Sequence, residues 1–225
     1  AGSAHSIVML VQALEEAKRG DIILVTSFGQ GCDALIFGVT DAVNDAKPAA
    51  GISGSIKRRR EEENYNRFLG INNLVKMEHG LRAEVDKQTG MTTLFRNKDM
   101  ILSLVGGKCS ACGTLQYPKS NVCANPNCGA VGTQDDQPFA DMPAKLNSFT
   151  ADSLTFSPDP PAYYGMVQFE DGGRGMLDLT DIDPNSDLEV GQSLRMVFRI
   201  KEFDTKRGFR RYFWKATPDT EQEGA

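Results

Sequence analysis

The sequence predicts a multidomain α+β protein, and three observations carry that prediction. Ile7, Leu10, Val11 and Leu14 recur at helical spacing, ahead of two short apolar runs, 22–25 and 34–39, that suit strands. Four of the five cysteines fall between Cys109 and Cys128 as two short-spaced pairs. From Phe139 to Pro218, apolar and polar residues alternate in short runs broken by turn signals, as in a small β-barrel. The expected order is an incomplete helix and β-hairpin domain over 1–42, a linker and helical region over 43–98, a cysteine ribbon over 99–137, a barrel over 138–218 and a tail over 219–225.

The first element ends in the polar run Glu15, Glu16, Lys18, Arg19 and stops at Gly20. Gly29-Gln30-Gly31 then joins the two apolar runs. A phosphate-cradling fingerprint needs a Gly-rich turn that leads from strand into helix; this one leads into another strand, so a hairpin lining a pocket is expected. One helix and two buried strands cannot enclose a core, so this piece is expected to need partners that the chain does not contain. Cys32, just after the turn, reads as a small buried residue at a strand start rather than a catalytic thiol.

Residues 41–55 are rich in Ala, Gly, Ser, Asn and Asp around Pro48 and read as a linker. The run 57–60, followed by Glu61, Glu62 and Glu63, is expected to open a solvated helix with pairs such as Lys57–Glu61 and Arg58–Glu62. Tyr65, Phe68, Leu69, Leu74 and Val75 give that region apolar anchors, and the apolar segment 100–105 precedes the cysteines. His5 and His79 belong to no metal or triad motif.

Cys109-x2-Cys112 and Cys123-x4-Cys128 can place four thiolates at the corners of a tetrahedron, the arrangement zinc prefers. Gly113 and Gly129 follow the second cysteine of each pair, where a knuckle needs a permissive backbone. With all four positions filled by protein, the metal is expected to be structural; two disulfides or a ribbon without metal are the alternatives. Asp181, Asp183, Asn185 and Asp187 alternate like a calcium loop, but Ser186 and Gln192 replace the Gly and Glu that such a loop requires. Arg207, Arg210 and Arg211 lie with Tyr212, Phe213 and Trp214 on the last hairpin. Phe209, Arg211 and Phe213 are expected on one face and Arg210, Tyr212 and Trp214 on the other. Core packing and ligand contact are both open readings of that hairpin, and its arginines suit the phosphates of a nucleotide-like cofactor.

Among 225 residues, 25 Lys and Arg stand against 30 Asp and Glu, for a net charge of -5. That balance argues against a chain built mainly to bind nucleic acid or an acidic membrane, while leaving room for a local basic patch. No apolar run approaches the roughly 20 residues of a membrane span, and no signal peptide opens the chain, so a cytoplasmic location is expected. The chain opens on Ala1 without Met, so it is expected to begin inside a fold.

The segment from Gly107 to Pro118, the second cysteine pair and the β-rich region through Trp214 resemble the DUF35 family. The resemblance implies an N-terminal helical hairpin, a rubredoxin-like zinc ribbon and an OB-fold, with acyl-CoA handling alongside thiolase-superfamily enzymes. The segment 2–6, the helix ending in 14–21 and residues 22–40 with their Phe28-Gly29-Gln30-Gly31 turn are similar to the C-terminal end of ketoacyl-synthase III and HMG-CoA-synthase-like proteins. That second resemblance implies that Gly29 and Gly31 lie beside an acyl pocket. It also implies that the nucleophilic cysteine and catalytic histidine lie upstream, so no catalytic residue is assigned and Cys32 does not match the nucleophile. Together the resemblances imply zinc and acyl-CoA or CoA as ligands, Arg207, Arg210 and Arg211 as contacts to CoA phosphates, and a homo- or hetero-oligomeric assembly. The partner would be a thiolase-superfamily subunit or the N-terminal part of the same protein. A scaffold that docks a separate thiolase, and more remotely an OB-type nucleic-acid binder, are the alternatives.

Overall fold

The computed structural model describes residues 2–45, 51–59, 61–78, 90–183, 187–204 and 207–219. His79, Arg60, Lys206, the centre of the Asp181–Asp187 loop and the tail beyond 219 lie outside the described residues. The chain divides into two units, Ala1–Glu61 and Glu62–Ala225.

In the first unit a short turn of 3-10 helix leads into α1 (His5–Glu16). Gly20 takes φ +90, a conformation that a side chain resists, and turns the chain into β1 (Ile22–Phe28). β1 pairs antiparallel with β2 (Cys32–Gly38) in register from Ile22↔Gly38 to Phe28↔Cys32, so the expected hairpin forms around 29–31. Its burial departs from expectation. No residue of β2 is buried, and Phe28 is 86% exposed. Cys32 is likewise exposed rather than buried. The physical reason is that, among the described residues of its unit, no further layer covers the apolar side chains of β2.

Residues 41–55 are not plain linker: α2 (Ala42–Asp45) and α3 (Gly51–Lys57) are short helices. The Glu15 carboxylate accepts from the amides of Ile52 and Ser53 and so ties α1 to the start of α3. The Ser53 side chain foremost, and then the Ile52 amide, hold its pKa below the usual carboxylate value. The charged run does not open a helix. α3 ends at Lys57, and α4 (Tyr65–Ile71) starts only where the Asn64 side chain accepts from the Arg67 amide at 3.1 Å. Asn caps a helix better than Glu does, and Glu62 instead accepts from the Asn64 amide at 2.8 Å. The expected Lys57–Glu61 spacing is therefore not helical, and Glu61 meets Arg59 at 3.5 Å.

In the second unit α4 is followed by α5 (Met91–Arg96) and α6 (Lys98–Ser103). Leu104 then takes the left-handed conformation, φ 48, while fully buried. The chain continues into β3 (Val105–Cys109), β4 (Leu115–Gln116) and β5 (Gln134–Pro138), which form a sheet in the order β4-β3-β5. The remaining strands are β6 (Ala144–Asp152), β7 (Ala162–Phe169), β8 (Arg174–Asp178), β9 (Ser193–Asp204) and β10 (Phe209–Pro218). They form a five-stranded antiparallel sheet in the order β10-β9-β6-β7-β8. A parallel bridge, Leu179↔Ala216, brings its two edges together, which closes the small barrel expected from the sequence.

The core is shared between ribbon and barrel. Phe139, Phe169, Leu146, Val167 and Leu194 are its fully buried centre; Leu104 enters from the helix side, and Leu115 and Tyr117 pack on it from the ribbon. Phe139 and Phe169 meet edge to face at 4.8 Å, and Tyr117 lies 5.7 Å from Phe139. Gly173, at φ +80, makes this approach possible, since a Cβ there would sit 2.9 Å from the Phe139 ring.

Candidate functional site

The cysteine cluster is built by two knuckles. Cys109 ends β3, and the Gly113 amide donates to its carbonyl at 2.7 Å, with Gly113 at φ +77. In the second knuckle the Cys123 amide donates to Ala130 at 2.9 Å, and Gly129 takes φ +57. The long Cys-x4-Cys spacing is absorbed locally: the Asn125 side chain accepts from the Asn127 amide at 2.9 Å, and its carbonyl accepts from the amides of Cys128 and Gly129.

All four sulfurs lie within 4.8 Å of one another. Cys109 and Cys128 are 3.9 Å apart, and Cys112 and Cys123 are 3.6 Å apart. Tetrahedral zinc with bonds of about 2.3 Å requires sulfurs about 3.8 Å apart, so the donor set fits such an ion. The cysteines are free thiols rather than the alternative pair of disulfides.

The thiols differ in acidity. Cys112 is drawn down to about 6, first by the Thr114 hydroxyl and then by the Thr114 amide. Cys109 is also lowered, chiefly by the Thr133 hydroxyl at 3.2 Å. At Cys123 the Asn125 amide pulls downward, but burial and the neighbouring thiols of Cys112 and Cys109 outweigh it and push the group up to about 12. Cys128 is raised against the pull of the Ala130 amide, by Cys112 and by burial. Four thiolates in one cluster repel one another. A bound dication would relieve that repulsion and let all four ionise.

Several supporting residues escape sequence reasoning. Gln116, buried in β4, donates from Nε2 to Ser120 Oγ at 2.9 Å and to the Val122 carbonyl at 3.2 Å. Its Oε1 accepts from the Ala124 amide at 2.8 Å. It thus holds both flanks of Cys123, yet a glutamine in a two-residue strand carries no pattern. Thr114 and Thr133, which face the sulfurs, are legible only by their nearness to the cysteine pairs.

The other expected positions are not brought to this cluster. Gly29 and Gly31 form the tip of the exposed hairpin, where a Cβ at either would meet nothing within 4 Å and neither needs a left-handed backbone. On the β9–β10 hairpin Arg211 pairs with Glu202. The Arg207 amide donates to Asp204 at 3.0 Å, and Arg210 lies over the Phe203 ring at 5.6 Å. Phe213 and Trp214 both pack against the core, while Tyr212 and Arg210 are exposed, so the two-face expectation holds for the described side chains except the half-buried Trp214. Asp181 pairs with Arg199 at 3.1 Å, in keeping with a solvated turn.

Comparison with known proteins places this architecture. Residues 101–131 match the family description "ChsH2, rubredoxin-like zinc ribbon domain", and residues 137–199 match "ChsH2, C-terminal OB-fold domain". A DUF35 domain-containing scaffold protein of Pyrococcus furiosus is 32% identical over 126 residues, covering 53% of this chain and 86% of that protein. The chain belongs to the DUF35 family. Its zinc-ribbon and OB-fold domains are thereby assigned. A DUF35 domain-containing scaffold protein of Methanothermobacter thermautotrophicus is 28% identical over 121 residues, 52% of this chain and 88% of that one. A hydroxymethylglutaryl-CoA synthase of Aeropyrum pernix is 41% identical over 71 residues, which is 31% of this chain but only 20% of the synthase. Among solved structures, an Ltp2-ChsH2(DUF35) aldolase aligns with TM-score 0.42 at 21% identity, covering 60% of this chain and 98% of that one. No helix among the described residues is long and apolar enough to cross a membrane.

Proposed function

We propose that this DUF35 chain is the acyl-CoA-handling C-terminal portion of a thiolase-superfamily condensing enzyme of the HMG-CoA-synthase type. It would support formation or cleavage of a carbon–carbon bond on acyl-CoA thioesters. The observation that carries the reading is the union, in one chain, of a ribbon–barrel unit with a stretch similar to hydroxymethylglutaryl-CoA synthase. The uncovered hairpin agrees with it: strands that expose Phe28, Ile22 and Ile36 to water need a further layer, which a thiolase-type body would supply.

In this reading Cys109, Cys112, Cys123 and Cys128 hold one structural zinc. Gly29 and Gly31 line the acyl pocket, and of the last hairpin's arginines Arg210 faces a CoA phosphate, while Arg207 and Arg211 reach the phosphates only by exchanging their Asp204 and Glu202 partners. The nucleophilic cysteine and the catalytic histidine come from the thiolase-type body. The ordinary site of action is the cytoplasm, and the working form is an oligomer.

A second reading has one observation in its favour: the matched relatives are named scaffold proteins. Ribbon and barrel would then dock a separate thiolase without touching substrate. Calorimetric titration of CoA and acetyl-CoA, with and without a thiolase-superfamily partner, separates the two. Saturable CoA binding is expected under the first reading. Capture of the partner with no CoA affinity gained or lost selects the scaffold, and metal analysis well below one zinc per chain with four reactive thiols contradicts the metal assignment.

A further inference from the structure

The barrel's last hairpin carries an exposed aromatic platform that the zinc site does not use. A bulge between Arg211 and Tyr212 leaves Lys201 as the extra residue of β9 and restores pairing as Tyr212↔Ile200 and Trp214↔Phe198. Alternation then places Arg210, Tyr212 and Trp214 on one face of β10. Phe198 and Tyr212 lie nearly parallel, 16° apart with centroids at 5.7 Å, and Trp214 meets Phe198 at 5.3 Å. Both upper rings remain open to water, Tyr212 at 47% and Phe198 at 38%, with Ile200 beside them at 40%.

Charge distinguishes this patch from a bare apolar one. β9 and β10 carry six Lys or Arg against two acids, Glu202 and Asp204, in a chain whose net charge is -5. Arg211 is committed to Glu202, and Arg207 is turned toward Asp204. Arg210, on the platform's own face, lies over the Phe203 ring and, among the described residues, forms no ion pair, so its guanidinium edge is placed to meet an anion. Two residues along a strand separate Arg210 from Tyr212 by about 6.8 Å, comparable to the reach from a purine ring to the phosphate on its own ribose. In OB-folds the loop between the last two strands is one of those that clasp ligands.

We propose that Phe198, Ile200 and Tyr212 form a stacking platform for a purine base and that Arg210 binds that nucleotide's phosphate. Resting on the acyl-CoA reading above, the ligand is the adenosine 3′,5′-bisphosphate end of CoA. A mononucleotide suits the patch better than a nucleic-acid strand. One ring pair and one guanidinium serve one nucleotide, whereas a strand needs a continuous basic track, which the net charge opposes.

The sole tryptophan, Trp214, touches the platform and reports on it. Adenosine 3′,5′-bisphosphate, CoA, pantetheine and a deoxyadenylate decamer are titrated into the zinc-loaded full chain and followed by Trp214 fluorescence and calorimetry. The same titrations are run on Tyr212→Ala, Tyr212→Leu and Arg210→Gln. Loss of base stacking predicts about 5- to 150-fold weaker binding of both CoA and the bisphosphate in each Tyr212 variant. Pantetheine affinity, zinc content and melting temperature should stay unchanged; Tyr212→Leu keeps apolar bulk, so a folding defect cannot mimic the effect. CoA binding that is equal in wild type and variants overturns the platform and leaves the acyl-CoA reading standing. Absence of CoA binding, alone and with a thiolase partner, overturns both. A decamer that binds more tightly than the bisphosphate, with a steep salt dependence, assigns the platform to single strands instead.

Discussion

Tyr117 leaves the ribbon and sets its ring against both Phe139 and Phe169, at 5.7 and 6.1 Å. Burial pushes its phenol pKa from the usual value near 10 up to about 12. A raised value means that folding favours the protonated form. The associated stability is therefore complete below about pH 10 and is lost as pH rises from about 10 through about 12. Tyr117→Phe should flatten that alkaline decline, as read by urea unfolding across the same window. Legibility in the sequence follows the same division between local and distant demands. The four cysteines, Gly113 and Gly129 meet demands set within a knuckle, and their spacing announces them. Leu104, left-handed yet buried, and Gln116, which holds the second knuckle, answer to neighbours far along the chain, and nothing adjacent betrays them.

At the scale of elements, the strands were readable because apolar alternation and turn glycines occur together. The helices between the units were less so: Asn64, rather than the charge run, decides where α4 begins. The hairpin at β1 and β2 was legible as pairing but not as burial, because what covers a strand is decided outside it. Two glycines in the barrel unit make an informative pair. Gly191 has φ +93 with nothing within 4 Å of a would-be Cβ, whereas Gly173 has φ +80 and would place that atom 2.9 Å from Phe139. Gly191→Ala should cost only backbone strain, about 1–2 kcal/mol. Gly173→Ala should add overpacking of about 1–3 kcal/mol. Chemical denaturation of the two variants side by side measures the difference; equal losses would mean that the Phe139 ring yields freely.

At the scale of the whole molecule, ribbon and barrel are one cooperative body because Leu104, Leu115 and Tyr117 reach the same core as Phe139 and Phe169. Metal binding in such a body is folding free energy. Chelating the zinc should therefore perturb not just the knuckles but Trp214 at the far hairpin, seen as a shift in its emission and a lower melting temperature of the barrel. Emission and melting unchanged after full metal removal would show that the barrel stands without the ribbon. The sequence divides the two parts between 137 and 138, at the last residue of β5. A cut there would strand Leu104 and Phe139, whose backbones join at 3.1 Å, on separate polypeptides. Ribbon and barrel should therefore be passed from one protein to another only as a pair, so gene fusions that borrow this unit are expected to carry it from α6 to β10 intact.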